Sequence, residues 1–334
     1  MEVEFPHKQL SHCENGTICN LLGFHNFQIS EPLIFGIGSG IFFAHMPFVK
    51  NQGIPLTSYR IFPGQIYNNA TKRLGIKMCK HTYKNQHDAM YEMDALLEKG
   101  QPVGILTNLY YLPFFPKSYR FHYNAHNTII YGKHGDTYLV SDPVLQHKTE
   151  IKYKDLLRAR FANGVLTIKG DLYYPAAIPE EVDLNSAIVK GIKATSKLMV
   201  NNFIPYHGVN GIKILAKKLT KLSRKNEPEF LHLFMGNVIR MQEEAGTGGA
   251  GFRYMYAAFL QEASRSLKQD WILKESEEMT KIGDRWRDFA VIAGRILKGR
   301  NSPTENISVI RETLFEIAER EKKLFKTLNS VSIS

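Results

Sequence analysis

Alternation of strand residues is confined to the first half of the chain. It is plainest at Asn127–Gly132 and again at Thr137–Ser141, on either side of a Lys133-His134-Gly135 turn. A three-residue hairpin loop commonly closes on a left-handed residue, and Gly135 stands at that position. Pro102–Leu112 predicts another strand and Val165–Tyr174 the last one. Helical patterns lie between: Ser11–Gly23, a start at Ser30-Glu31-Pro32, a mixed pattern in Arg60–Lys80 ending at Leu74-Gly75, Ala89–Lys99 and Lys152–Arg160. Beyond Pro175–Pro179 every pattern is helical. Ile282, Trp286, Phe289, Ala293 and Ile296 follow the 4,3,4,3 spacing of a buried stripe, and Ile310, Leu314 and Ile317 begin another. The patterning predicts an α+β domain over residues 1–175 and an all-helical domain over 176–334.

Composition narrows the class. The chain has 334 residues, enough for two cores, and its 43% hydrophobic and 22% charged content excludes disordered and fibrous classes. No apolar run approaches the roughly 18 residues that span a bilayer. The opening MEVEFPHKQL carries acidic residues and no apolar stretch follows, which argues against a signal peptide. Cys13, Cys19 and Cys79 cannot all be paired, so a reducing, cytoplasmic setting is expected. The net charge of +11 raises nucleic acid as a partner, but no zinc-finger spacing, aromatic RNA-binding motif or recognition helix accompanies it. Lys190–Lys225 holds nine Lys/Arg and no Asp or Glu, which suits an acidic protein partner equally well.

The candidate chemistry begins at the hairpin. If Lys133–Gly135 is the loop, Gly132 pairs with Asp136 and His126 falls opposite Asp142, with Cβ atoms roughly 5 Å apart. An imidazole beside a carboxylate is a base with its orienter. A two-residue loop would put them on opposite faces. Cys13 stands at a helix start, where amides and macrodipole favour a thiolate. Cys19 is about 240° round the same helix and reads as packing. Gln9, just upstream, is a candidate side-chain donor to an oxyanion.

In the helical half, Glu243 and Glu244 end one helix and Phe252 starts the next. Between them lie Gly246, Thr247, Gly248, Gly249 and Gly251, with Arg253 following. Glycines admit a ligand to backbone amides, so Glu243, Gly246, Thr247, Gly248, Gly249 and Arg253 are candidate substrate contacts. The glycines of Phe35–Phe43 lack the preceding strand and spacing of a dinucleotide fingerprint and read as close packing. No histidine spacing indicates a metal.

Several segments together resemble the butirosin biosynthesis protein H family, within papain-like cysteine enzymes. They are the His12-Cys13 start, Ser30-Glu31, FGIGSG, TNLYYLPF, HNTIIYG, YLVSDP and GTGGAGFRYMYAAFL. The resemblance implies a papain-like first domain and an acyltransferase that moves an acyl group from an acyl carrier protein to an amine. It implies that Cys13 carries the acyl group, His126 is the base and Asp142 orients it. No tightly bound cofactor is expected, since phosphopantetheine comes on the acidic carrier. The expected partners are that carrier and a small amine-bearing acceptor, with no nucleic acid and no membrane; homo-oligomer formation is left open. A cysteine peptidase or amidase, and a catalytically idle binding protein of the same fold, are the alternatives.

Overall fold

A computed structural model describes every residue except Met1, Gln52, Val165, Asn202, Asn226, Ala245 and Ser334. The chain forms two compact units, Met1–Ile34 with Ile66–Val182, and Phe35–Gln65 with Asp183–Ser334. The expected division at 175/176 is thereby corrected. It falls at 182/183, and residues 35–65 belong with the helices.

In chain order the first elements are α1 (Cys13–Phe24), α2 (Glu31–Ile37), β1 (Ile41–Asn51), β2 (Ile54–Arg60), α3 (Gln65–Arg73) and β3 (Lys77–His81). Then come α4 (Gln86–Glu98), β4 (Val103–Thr107), β5 (His126–His134), β6 (Thr137–Ser141), β7 (Thr149–Lys152), α5 (Tyr153–Arg160) and β8 (Leu172–Ala177). Helices α6 (Leu184–Val200), α7 (Gly208–Ser223), α8 (Pro228–Glu243), α9 (Arg253–Leu267), α10 (Asp270–Leu297) and α11 (Ile307–Leu328) complete the chain.

The first unit is built on one antiparallel sheet in the order β3-β8-β4-β5-β6-β7. Helix α1 packs over β4, β5 and β8. Gly104 admits it, because a Cβ there would stand 2.5 Å from the Tyr173 ring and 3.1 Å from Leu21. Met90 and Met93 of α4, Ile105, Ile130, Val140 and Leu156 of α5 form the core of this unit. The predicted strand from Pro102 stops at Thr107, where the Asn108 side chain accepts from Tyr110 N at 2.9 Å and turns the chain into a 3-10 turn. The strand predicted from Val165 begins only at Leu172, and Val165 itself lies outside the described residues.

In the second unit Trp286 is fully buried at the centre of the predicted α10 stripe. Phe43 of β1 stacks on it at 5.7 Å and Tyr59 of β2 meets it edge-on at 5.3 Å. This is why the β1–β2 hairpin leaves the sheet domain. Its two aromatic residues need the apolar partner that α10 supplies. The hairpin itself was not legible in sequence, because Pro47 and Pro55 and two register shifts break its alternation. Among the described residues no helix is long and apolar enough to cross a membrane.

A charge is sealed beside Trp286. Arg253 and Glu321 are both fully buried and pair through two bonds, Nε to Oε1 at 2.9 Å and Nη2 to Oε2 at 3.1 Å. Trp286 Nε1 donates to the same carboxylate at 2.9 Å. Glu321→Gln should therefore destabilise the protein by about 3–5 kcal/mol in urea unfolding, because it leaves a guanidinium buried without its counter-charge. Arg253→Met combined with Glu321→Leu should recover most of that loss.

Candidate active site

The first unit brings Cys13, His126 and Asp142 together. Cys13 is the first residue of α1, whose N-cap His12 accepts from Asn15 N. His126 is the first residue of β5, and Asp142 directly follows β6. His126 Nε2 lies 2.7 Å from Asp142 Oδ2, and the Cys13 side chain is a hydrogen-bond partner of the same ring. With Nε2 taken by the carboxylate, Nδ1 is the ring atom that faces the thiol. The three have the geometry that a nucleophile, a base and its orienter would need.

The register that achieves this differs from the expected one. His134 pairs with Thr137, so the loop is the two residues Gly135-Asp136, with Gly135 at φ 58°. A regular ladder from that loop would put His126 and Asp142 on opposite faces. One extra residue intervenes: the pairing shifts between Ile130 and Gly132, leaving Tyr131 as a β-bulge, and resumes at Ile130–Val140 and Ile129–Ser141. The shift restores the face parity. Extending it sets Asp142 opposite Thr128, so His126 is its diagonal neighbour and not its direct partner.

Burial separates the roles. Asp142 is 0% and His126 5% exposed, whereas Cys13 is partly open to solvent. Burial alone would lower the imidazole pKa. The charge and hydrogen bond of Asp142 oppose it, Cys13 adds to them, and the net effect raises His126 to about 10. The ring is then an imidazolium at neutral pH, the form that stabilises a neighbouring thiolate. Phe115 packs edge-on against it at 5.4 Å.

The chain ahead of Cys13 is tied down by residues the sequence did not single out as functional. Glu31 Oε1 accepts from His12 N at 2.8 Å, and its Oε2 from Ser11 N and Oγ at 2.9 and 3.0 Å. Burial raises the Glu31 pKa, and these donors only partly offset it. His7 bridges Ser141 Oγ at 2.8 Å and the Leu145 carbonyl at 3.2 Å, while Leu10 N donates to Pro143 O at 2.6 Å. Gly16 lets α1 meet this loop, because a Cβ there would lie 2.5 Å from Pro143 Cβ. Glu31 was legible as part of a helix start and of a segment that carries the family resemblance. That it reaches back to hold Ser11 and His12 depends on the fold.

Gln9 is exposed, and its amide donates to Val144 O at 3.5 Å, the outer limit of a hydrogen bond. With Leu10, Ser11 and Glu31 it lines a shallow depression of about 330 Å³. Among the described residues no His, Cys, Asp and Glu cluster could hold a metal.

The glycine loop belongs to the second unit, and most of its candidate ligand contacts have partners inside the protein. The Arg253 nitrogens go to Glu321 and, at 2.8 Å, to Gly251 O, so this buried guanidinium is not offered to an anion. Thr247 Oγ1 donates to Gln242 O at 2.6 Å and accepts from Gly249 N at 3.1 Å. Glu243 Oε1 takes Ala250 N at 3.2 Å, and Gly246 N goes to Glu244 O at 2.9 Å. Gly248 has open space beside it, and Ala245 lies outside the described residues. The loop is rich in glycine because it packs against the hairpin: at Gly251, φ 55°, a Cβ would stand 2.3 Å from the Tyr59 ring.

Two outcomes follow from the site geometry. The His126 ring, observed by NMR, should stay protonated from pH 7 to 9 and titrate near 10. In Asp142→Asn burial is less opposed, so the midpoint should fall by about two units. Glu31→Ala leaves two backbone amides without their acceptor and should cost about 1–3 kcal/mol. Iodoacetamide labelling of Cys13 should slow with it, which a loss of stability alone would not produce.

Comparison with known proteins divides the chain at another place, between residues 143 and 154. The family model described as Butirosin biosynthesis protein H, N-terminal, matches residues 12–143, ending just after Asp142. That described as Domain of unknown function (DUF4872) matches residues 154–328, just over half of the chain. No curated protein matches. Among solved structures, a C39-like peptidase from Bacillus anthracis is 16% identical, with 52% of this chain and 95% of that one covered and a TM-score of 0.37. With both models matched in sequence over nearly its whole length, the chain belongs to the butirosin biosynthesis protein H family, its N-terminal domain followed by the DUF4872 domain.

Proposed function

We propose that the protein is a cysteine-dependent acyltransferase that moves an acyl group from an acyl carrier protein thioester, through Cys13, to a small amine. One arrangement supports the reading: a partly exposed thiol at a helix N-terminus, hydrogen-bonded to an imidazolium whose other nitrogen rests on a dry carboxylate. The family likeness supplies the reaction class, since carrier-to-amine transfer is what that resemblance implies.

In the first step the Cys13 thiolate attacks the thioester carbonyl, and the carbon–sulfur bond to the carrier's phosphopantetheine breaks. The departing thiolate takes the proton of His126, which becomes a neutral base. In the second step the amine attacks the acyl-cysteine, His126 accepts its proton, the amide is released and the thiolate–imidazolium pair returns. Amides of the α1 N-terminus act as oxyanion donors, with Gln9 as a side-chain candidate. Asp142 keeps the ring oriented and favours its charged form. A net charge of +11 suits encounter with an acidic carrier, and three free cysteines suit a reducing compartment such as the cytoplasm.

Intact-mass spectrometry with a panel of acyl-thioesters tests the reading. Wild type should gain one acyl mass, lose it on addition of an amine with formation of an amide, and gain nothing as Cys13→Ala. His126→Ala should slow acylation by about 10²–10⁴-fold. The step needs the imidazolium proton, so its rate should hold through neutral pH and decline as pH rises through about 10. Peptide or amide hydrolysis with no acceptor required would replace the proposal with a peptidase or amidase. If no adduct forms and Cys13 alkylates no faster than Cys79, the protein is an idle binder.

A further inference from the structure

The basic run of the sequence does not form one uniform face in the structure. Lys213 is paired with Glu319, whereas Lys217, Lys221, Arg224 and Lys225 at the end of α7 converge with Arg311 of α11 around a cavity of about 740 Å³. Among the described residues five cations line it and no carboxylate does. Among the described residues none of the five makes an ion pair, and Glu312 accepts from the lining residue Ser308 at 3.3 Å. The Arg311 guanidinium is steadied over the Phe315 ring at 4.8 Å.

Helix electrostatics explains only part of this cluster. Lys221, Arg224 and Lys225 stand at the C-terminal end of α7, where cations offset the macrodipole. Arg311 is near the opposite kind of helix end, since α11 starts at Ile307 and has no acidic residue in its first turn. Lys217 is a turn further back from the α7 terminus. Cations gathered about one cavity repel one another within a screening length of about 8 Å, so the arrangement is unfavourable while it is empty. A bound polyanion reverses that sign. The concave form and the volume suit a small molecule, because ligand pockets run to about 300–1,000 Å³. Two phosphates together bring roughly −3 to −4 charge against five cations.

We infer that this cavity is a binding site for a small molecule carrying two or more phosphate groups.

Calorimetry on the full chain with pyrophosphate, ADP, coenzyme A and inorganic phosphate, across a salt series, tests the inference. The diphosphates should bind at least about tenfold more tightly than inorganic phosphate and weaken as salt rises. Lys221→Glu with Arg311→Glu should abolish binding, and Lys217→Ala should weaken it several-fold. Both variants should keep the wild-type urea midpoint and Cys13 labelling rate, so that lost binding is not lost folding. The inference is overturned if no diphosphate binds at millimolar concentration, or if binding survives the double substitution. Binding of poly-glutamate without any diphosphate would also overturn it, and would mark the face as a docking surface for an acidic protein.

Discussion

The proposed chemistry depends on one unpaired residue in an antiparallel ladder. Tyr131 bulges from β5, and that single insertion returns His126 to the face that holds Asp142. A bulge leaves backbone groups unpaired, and here the N-terminal segment takes them up. Val3 N donates to Tyr131 O at 3.4 Å, and the buried Phe5 ring stacks on Tyr131 at 5.6 Å. The same segment then crosses the loop after Asp142 through His7 and Leu10, and runs directly into Cys13. Residues 2–12 thus link the bulge, the carboxylate and the nucleophile, which come from three separate parts of the chain. Positioning of the thiol against the ring is a property of this strap as much as of α1.

Both units bury a carboxylate against a cation, with opposite consequences. Asp142 and His126 leave the partly exposed Cys13 as the third member, so their charge has something to act on at the surface. Glu321 and Arg253 are enclosed by Trp286 and Gly251, and the guanidinium's bonds to Glu321 and Gly251 O are internal. Desolvation makes each pair costly to break. Only the first has an open side. The glycine-rich loop beside Arg253 has the composition of a ligand loop, yet its amides are turned onto Thr247 and Glu243 and its narrowest glycine faces Tyr59.

Local pattern by itself determined the helical second half. Ile282, Trp286, Phe289, Ala293 and the α11 stripe all lie buried as their spacing requires, because helical periodicity is a property of contiguous residues. It also determined the start of α1 at Cys13 and the cap at Ser30, whose hydroxyl accepts from Leu33 N. That Cys13, His126 and Asp142 could meet was suggested by residue type and chain order, and the fold does bring them together. What only the tertiary structure decided was register, company and exposure. The bulge at Tyr131 is invisible in a run of strand residues, and Glu31 reaches back twenty residues to Ser11 and nineteen to His12. The β1–β2 hairpin joined the helices because its rings required Trp286. Arg253 was a candidate ligand contact in the sequence, and Arg311 was not singled out. One is sealed against Glu321 and the other lines an open cavity, because the depth of a charge is set by everything packed around it and not by its neighbours along the chain.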